Sequence, residues 1–374
     1  MQDRLVKSFC DMVRIDSVSG CEDAFFEYLA ALLPRELGAT CRTDAYGNLI
    51  AEVPPLASTR TEPIMLAAHG DTVQPGTGIE PIVEDGVIRS AGNTILGADD
   101  KAGIAEIVEA VRTSATRPPI EIVITRGEET GLNGSRNLDL DLVQSKIGYV
   151  FDSGQLDKII VGGPTHVNLD IEVIGKAAHA ADPAAGLSAI RVAASAIEAM
   201  PEGRIDEETT ANLGTIQGGL IRNGVPERVT LRGECRSLNH QKALAQSDAM
   251  RRAFEDAAAR HGARVSVEAS IEYQAARVSD DAPTVRYAEA AIRKAGLEPT
   301  TDVMLGGTDA LMLQTRGIET VVLGYGGRGA HSVDEHIAIC DMERATDIIR
   351  HLLAVTAEGE SEEEPNKKEE GDTP

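Results

Sequence analysis

The sequence contains no tryptophan, and aromatic residues make up only 3% of its 374 positions, so any core has to be built from Ala, Val, Ile and Leu. Positive charge is scarce: 36 Lys and Arg stand against 60 Asp and Glu, a formal net charge of −24. That deficit excludes a nucleic-acid partner, whose phosphates need clustered Lys and Arg, and fits poorly with an anionic membrane surface. Five cysteines (Cys10, Cys21, Cys41, Cys235 and Cys340) are odd in number, scattered, and never spaced as CxxC. A disulfide framework and a thiolate zinc site are thereby disfavoured. No run approaches 18 apolar residues and no apolar secretory stretch follows Met1, so a cytoplasmic protein without a membrane span is expected. There is no P-loop and no internal repeat.

What is present suffices for folding. Apolar residues make up 42% and charged residues 26%, and the length corresponds to about two domains. Leu5, Phe9, Met12 and Val13 recur at helical spacing, and a second helix is predicted from Glu22 to Leu37, with Ser17 and Ser19 as cap candidates. Four short apolar runs follow: Ile64–Ala68, Ile120–Ile124, Ile147–Phe151 and Thr320–Gly324. Runs so uniformly apolar suit strands covered on both faces, and hence an α/β fold with a mainly parallel sheet flanked by helices. Lys101–Arg112 carries one clear helical stripe.

The middle of the chain reads differently. Val167–Ile174, Ala211–Gln217, Arg228–Cys235 and Ala263–Tyr273 read as strands, and Leu187–Met200 and Asn239–Arg260 as helices. The order βαββαβ is the ferredoxin-like, α+β arrangement. The predicted organisation is therefore a discontinuous larger domain, 1–164 and 281–357, interrupted by a smaller inserted domain, 165–280. Residues 358–374, with eight acids and no large apolar side chain, read as a disordered acidic tail.

Chemistry-bearing residues follow the apolar runs. The first is followed by His69-Gly70-Asp71, the second by Glu128-Glu129, and the third by Asp152; His331 comes after the fourth, and Asp99-Asp100 opens a helix. In open α/β sheets ligands bind at the carboxyl ends of the strands, so these groups are predicted to meet at one edge. Alone, each has a plainer reading, as a turn, a helix cap or a solvated acidic loop. Together, carboxylates crowded at one edge repel unless a cation sits among them. Imidazole and carboxylate without thiolate suit Zn²⁺, Mn²⁺ or Co²⁺, and two ions sharing one acid account for two His and three acids.

The stretches MLAAHGDTV, LGADDKAGIAEI, TRGEETGLNGS, FDSG, GKAAHA, GECRS, GGTDA and AHSVDEH lie in this order over residues 64–336. With them the sequence resembles the M20 family of zinc metallopeptidases, in its peptidase T-like branch. The resemblance implies two divalent ions, Zn²⁺ first with Co²⁺ or Mn²⁺ as alternatives. One would be held by His69 and Asp152, the other by Glu129 and His331, with Asp99 bridging both. It also implies a cis Asp99–Asp100 peptide, Glu128 as general base for a metal-bridged water, and Asp71 orienting His69. The same resemblance makes the larger domain catalytic and the inserted one a lid or dimerisation domain, from which His179 would stabilise the oxyanion. Arg236 and Asn223 resemble substrate-carboxylate contacts, and Thr308 and Asp309 belong to a pocket-lining motif.

The implied activity is cleavage of short peptides at their N-terminal side, by an aminopeptidase or tripeptidase. An N-acyl-amino-acid deacylase or a carboxypeptidase of the same fold is the alternative, and a non-catalytic binding module a further one. The partners expected are a small peptide substrate and, through the lid, a second copy of the chain.

Overall fold

The four apolar runs become the centre of one mixed sheet. In spatial order these strands are Ile120–Thr125, Ile64–His69, Ile147–Ser153 and Glu319–Gly324, and all run parallel. Antiparallel strands flank them, Leu49–Val53 and Thr40–Thr43 on one side and Lys158–Gly163 on the other. The computed structural model describes residues 2–358, so the expected acidic tail lies, from residue 359 on, outside the described residues.

Period-two alternation explains why these strands read as continuous apolar runs. Ile64, Leu66 and Ala68 face a large cluster built with helices Gln2–Val13, Asp23–Leu37, Ala98–Thr113, Pro283–Lys294 and Ile339–Thr356. Met65 and Ala67 face the other layer, with Val123, Val150, and Ala310 and Leu313 of helix Asp309–Thr315. Every residue of the strand Ile64–His69 is buried, and removing a Leu or Ile side chain from water contributes about 1.5–3 kcal/mol. The chain leaves this strand toward 120–125 on one side and returns on its other side for 147–153. That reversal opens a crevice at the carboxyl ends of the strands.

A second sheet is antiparallel throughout, in the order Gly203–Arg204, Thr209–Gly218, Arg228–Ser237, Thr165–Ile174, Arg264–Tyr273. With helices Ala189–Ala199 and His240–His261 it has the strand-helix-strand-strand-helix-strand order read from the sequence. Val167, Leu169, Ile171, Val173, Val229 and Leu231 pack on those helices. The opposite face carries Asp170, Glu172, Arg228 and Arg232, paired as Arg228–Glu172 at 2.5 Å and Arg232–Asp170 at 3.3 Å. Asn239 caps the longer helix through the N–H groups of Gln241 and Lys242, and Gly262, in the left-handed conformation at φ 73°, ends it.

The two sheets meet where Thr165 Oγ1 accepts the N–H of Ala275 at 2.8 Å. Beside it, Arg236 donates to the Leu305 carbonyl at 2.9 Å. A small antiparallel sheet, Pro81–Glu84, Val87–Ser90, His336–Ala338 and Gly327–Arg328, has no clear signature in the sequence. It matters because His331 lies in the connection between its last two strands. Among the described residues no helix is long and apolar enough to cross a membrane.

Candidate metal centre

The central strands deliver their ends to one place. His69 terminates its strand and is 2% exposed. Its Nδ1 lies 3.0 Å from the Asp71 backbone carbonyl. A carbonyl oxygen only accepts, so Nδ1 carries the proton and Nε2 presents its lone pair. That lone pair faces Asp99 Oδ1 at 3.0 Å and Asp152 Oδ1 at 4.0 Å.

Asp99 precedes the regular part of helix Ala98–Thr113. Its φ and ψ of −80° and 104° are not helical, and the Asp99–Asp100 peptide is cis. One carboxylate oxygen faces His69, and the other lies 3.4 Å from His331 Nε2. His331 Nε2 is also 2.9 Å from Glu129 Oε1. Two three-residue sets therefore share Asp99: His69, Asp99 and Asp152, and Asp99, Glu129 and His331. A further set, His69, Glu128 and Glu129, overlaps both, and within each set one candidate ligand atom per residue lies within 4.8 Å of the others.

Asp71 works on more than His69. Its carboxylate accepts the backbone N–H of Glu128 at 3.0 Å and of Glu129 at 3.2 Å, and lies 3.5 Å from His69 Nδ1. It thus fixes the turn that presents both glutamates. Ser19, a cap candidate in the sequence, instead donates its hydroxyl to Asp71 at 2.7 Å, and helix Asp23–Leu37 has no side-chain cap. Thr308 Oγ1 donates to Asp152 Oδ2 at 3.1 Å, and Asp309 accepts from the Thr125 hydroxyl.

Burial and crowded negative charge set the proton affinities. Burial first, then Asp152, Asp309 and Glu129, push the Glu128 carboxyl well above its usual range, with His69 opposing. Burial and Asp99 do the same to Asp152. For His331, the hydrogen bonds to Asp99 and Glu129 raise the imidazole to about 10. The two halves differ in exposure: His331 is 55% exposed at its side chain, against 2% for His69.

The remaining predicted residues lie outside this cluster. Ala178–His179 pairs with Gly224–Val225, next to Asn223, beyond the far end of strand Thr165–Ile174. The near end of that strand adjoins Ala275 and the catalytic sheet, and ten strand residues span about 33 Å. Arg236 sits at the near end, where Glu234 takes two of its N–H groups at 3.2 and 3.0 Å and Tyr273 and Leu305 take others. His166 lies 2.8 Å from Glu234 and against the Tyr273 ring. Glu335, which the sequence marks as either a support for His331 or a solvated acid, is central: 1% exposed, it accepts three backbone N–H groups of the loop leading into Asp99. Only its position four residues after His331 hinted at this.

A crevice at the ends of parallel strands, lined by imidazoles and carboxylates around one shared aspartate, defines a metal-dependent hydrolase of the M20 type. The chain belongs to peptidase family M20/M25/M40, whose model matches residues 65–355. It is similar to the structure of aminopeptidase PepT from Bacillus cereus, with 37% identity, a TM-score of 0.87, and coverage of 94% of this chain and 98% of that one. A tripeptidase from Staphylococcus aureus shares 33% identity with a TM-score of 0.91, over 96% of this chain and 99% of that one. The Bacillus subtilis protein YqjE is 37% identical over 368 residues, 95% of this chain and 98% of its own length.

Proposed function

We propose that this enzyme is a two-metal aminopeptidase that releases the N-terminal residue of short peptides, tripeptides among them. The observation that carries the reading is the position of Asp99, with one carboxylate oxygen on each of two histidines that belong to separate three-residue sets. The donor chemistry fits the ions: hard nitrogen and oxygen ligands, no thiolate, and partly buried acids whose mutual repulsion a cation relieves. His69 and Asp152 would hold one ion, Glu129 and His331 the other, and Asp99 both. Zn²⁺ is the first choice, with Co²⁺ or Mn²⁺ as alternatives. Bound there, the ions would polarise the scissile carbonyl and bring the pKa of water toward neutrality.

The protein's own groups supply the rest. The Glu128 carboxylate accepts the proton of the attacking water and returns it to the departing amine nitrogen, a task suited to a carboxyl whose proton affinity burial has raised. Asp71 holds Glu128 by its backbone N–H, so the base stays aimed while its proton comes and goes. Acidic walls favour a substrate that brings an ammonium group. A carboxypeptidase or deacylase needs a cation for the substrate carboxylate, and Arg236 is already engaged by Glu234, Tyr273 and Leu305. Similarity to PepT and to a tripeptidase over nearly the whole chain points the same way.

The lid completes the reading. Ile216, Leu220 and Ile221 are exposed at the far end of strand Thr209–Gly218, beyond its two-residue pairing with Gly203–Arg204, and suit pairing with a second copy. His179, on the same tip, would then reach an oxyanion in the second copy's crevice.

Purified protein incubated with a tripeptide panel and with N-acetyl-amino acids tests the proposal. Release of the free N-terminal residue, lost with EDTA and restored by Zn²⁺, Co²⁺ or Mn²⁺, is expected. Acetate release without peptide cleavage would move the chain to the deacylase alternative.

A further inference from the structure

We infer that Glu335 is a positioning residue that sets the distance between the two halves of the metal centre, by tying the turn carrying His331 to the loop carrying Asp99. This rests on the reading of Asp99, Glu129 and His331 as metal ligands. Glu335 Oε2 accepts the N–H groups of Leu96 and Gly97, both at 2.7 Å, and Oε1 accepts that of Asp99 at 3.0 Å. Gly97, in the left-handed conformation at φ 72°, belongs to the kind of turn in which successive N–H groups converge on one anion. The carboxylate is 1% exposed, so water cannot replace it. A buried N–H without an acceptor costs about 1–3 kcal/mol, and here three share one side chain.

The other end of the tie is equally short. Glu335 N–H donates to the Ser332 carbonyl at 3.1 Å, and Ser332 N–H to the Gly329 carbonyl at 3.2 Å, which closes the turn around His331. His331 itself is at φ 63° and more than half exposed, so side-chain packing does little to hold it. The turn therefore places its imidazole, and Glu335 fixes the turn against a loop 236 residues away in the chain. His69 and Asp152 stand on buried strands that Glu335 does not touch, so that half of the centre meets this tie only through the shared Asp99, whereas the other half also depends on it for His331.

The experiment is stepwise Zn²⁺ titration of apo protein by chelator competition, for the wild type and Glu335→Gln. The amide keeps the size of the side chain but turns an N–H donor toward backbone N–H groups. The weaker of the two dissociation constants is expected to rise about 10–100-fold, as when other outer partners of metal ligands are removed. The tighter one is expected to change severalfold less. Equal changes in both constants, or none, would overturn the inference, even if the apo melting temperature falls. A wild type that binds no Zn²⁺ overturns it together with the metal reading, whereas two ions bound by wild type and variant alike defeats this inference alone. Hydrogen exchange on the wild-type protein gives a second measure that needs no substitution. The amides of Leu96, Gly97 and Asp99 are expected to gain protection together with residues 329–335 as the second equivalent of Zn²⁺ binds. Protection gained at 329–335 alone would count against the tie.

Discussion

In the strand Ile64–His69 successive side chains enter two different buried layers, whereas in Thr165–Ile174 only Val167, Leu169, Ile171 and Val173 are buried against helices, and Asp170 and Glu172 meet water or an arginine. A strand packed on both faces has its register and its end fixed from two sides. A strand packed on one face has its register fixed from one side only. The difference places the ligands. His69 and Asp152 ride on the first kind of strand, while the lid residues His179 and Asn223 ride beyond the end of the second kind. The imidazole and carboxylate cluster thus stands at the end of the sheet buried on both faces, and His179 and Asn223 beside the sheet buried on one.

The sharpest way to break this comparison is at the rigid end. Glu128→Gln keeps the size of the side chain and its backbone bond to Asp71 but removes the base. Peptidase turnover is expected to fall about 10²–10⁴-fold with metal content unchanged by elemental analysis. A variant retaining near wild-type rate would take Glu128 out of the reaction. Next in size is a pair, His69→Ala and His331→Ala. Each is expected to lower the metal stoichiometry. Since His69 is buried and His331 is more than half exposed, the ion lost first from the wild type under mild chelation should be the one that His331→Ala no longer holds. Loss of both ions at one chelator concentration would deny any difference between the halves.

These expectations show what the sequence makes legible. Apolar runs such as Ile64–Ala68 carry their own signal, because two-sided burial removes polar residues from a strand, and the polar residue just after the run is then an edge residue by necessity. That is how His69, Glu128, Glu129 and Asp152 stood out. Asp71 was visible beside His69, but its bonds to the Glu128 and Glu129 amides were not, because backbone donors leave no residue pattern. Glu335 was legible only as a support for His331 or a solvated acid, and Ser19 only as a cap, because each acts on a loop distant in sequence. The small sheet around His331 was hidden because its strands, such as Pro81–Glu84 and Val87–Ser90, are too short and too exposed to alternate clearly.

Stability separates the two sheets further. Leu66→Ala, at a fully buried site, is expected to cost about 2–5 kcal/mol, and Ile216→Ser, on the exposed edge of the lid, less than about 0.5 kcal/mol, both read from denaturant midpoints of the metal-free protein. Equal losses would mean that the lid edge is packed. Glu106→Gln gives a smaller effect within the rigid region. Glu106 is fully buried with both carboxylate oxygens unpartnered, and burial, with Asp100 and Asp341 adding to it, pushes its pKa well above the usual 4.5. The folded state prefers the neutral acid while the unfolded chain ionises above about 4.5, so stability is lost as pH rises past that value. The amide cannot ionise. The variant is expected to be more stable than wild type by about 1–3 kcal/mol at pH 8, with the gain shrinking toward pH 4. A gain independent of pH would point to packing instead.

The smallest effect belongs at the base of the lid, where the two regions join. Glu234 contacts His166 and pairs through two bonds with Arg236, which together hold its carboxyl at about 2, below its ordinary 4.5. Because the folded state favours the ionised form, this contribution is fully present above about pH 4.5 and disappears as pH falls toward 2. About one third of the Glu234 side chain is exposed, so water screens the pair, and its worth is about 1 kcal/mol. Calorimetric melting of wild type and Glu234→Gln should therefore differ most at pH 5 and converge by pH 2. Other acids protonate in both proteins, and only the difference between the two reports on Glu234. A difference that stays constant across that range would show that the carboxylate holds the lid by shape and not by charge. The base of the lid would then be held by shape, as the two-sided packing of Ile64–His69 is, and the contrast between the two regions would fail at the point where they meet.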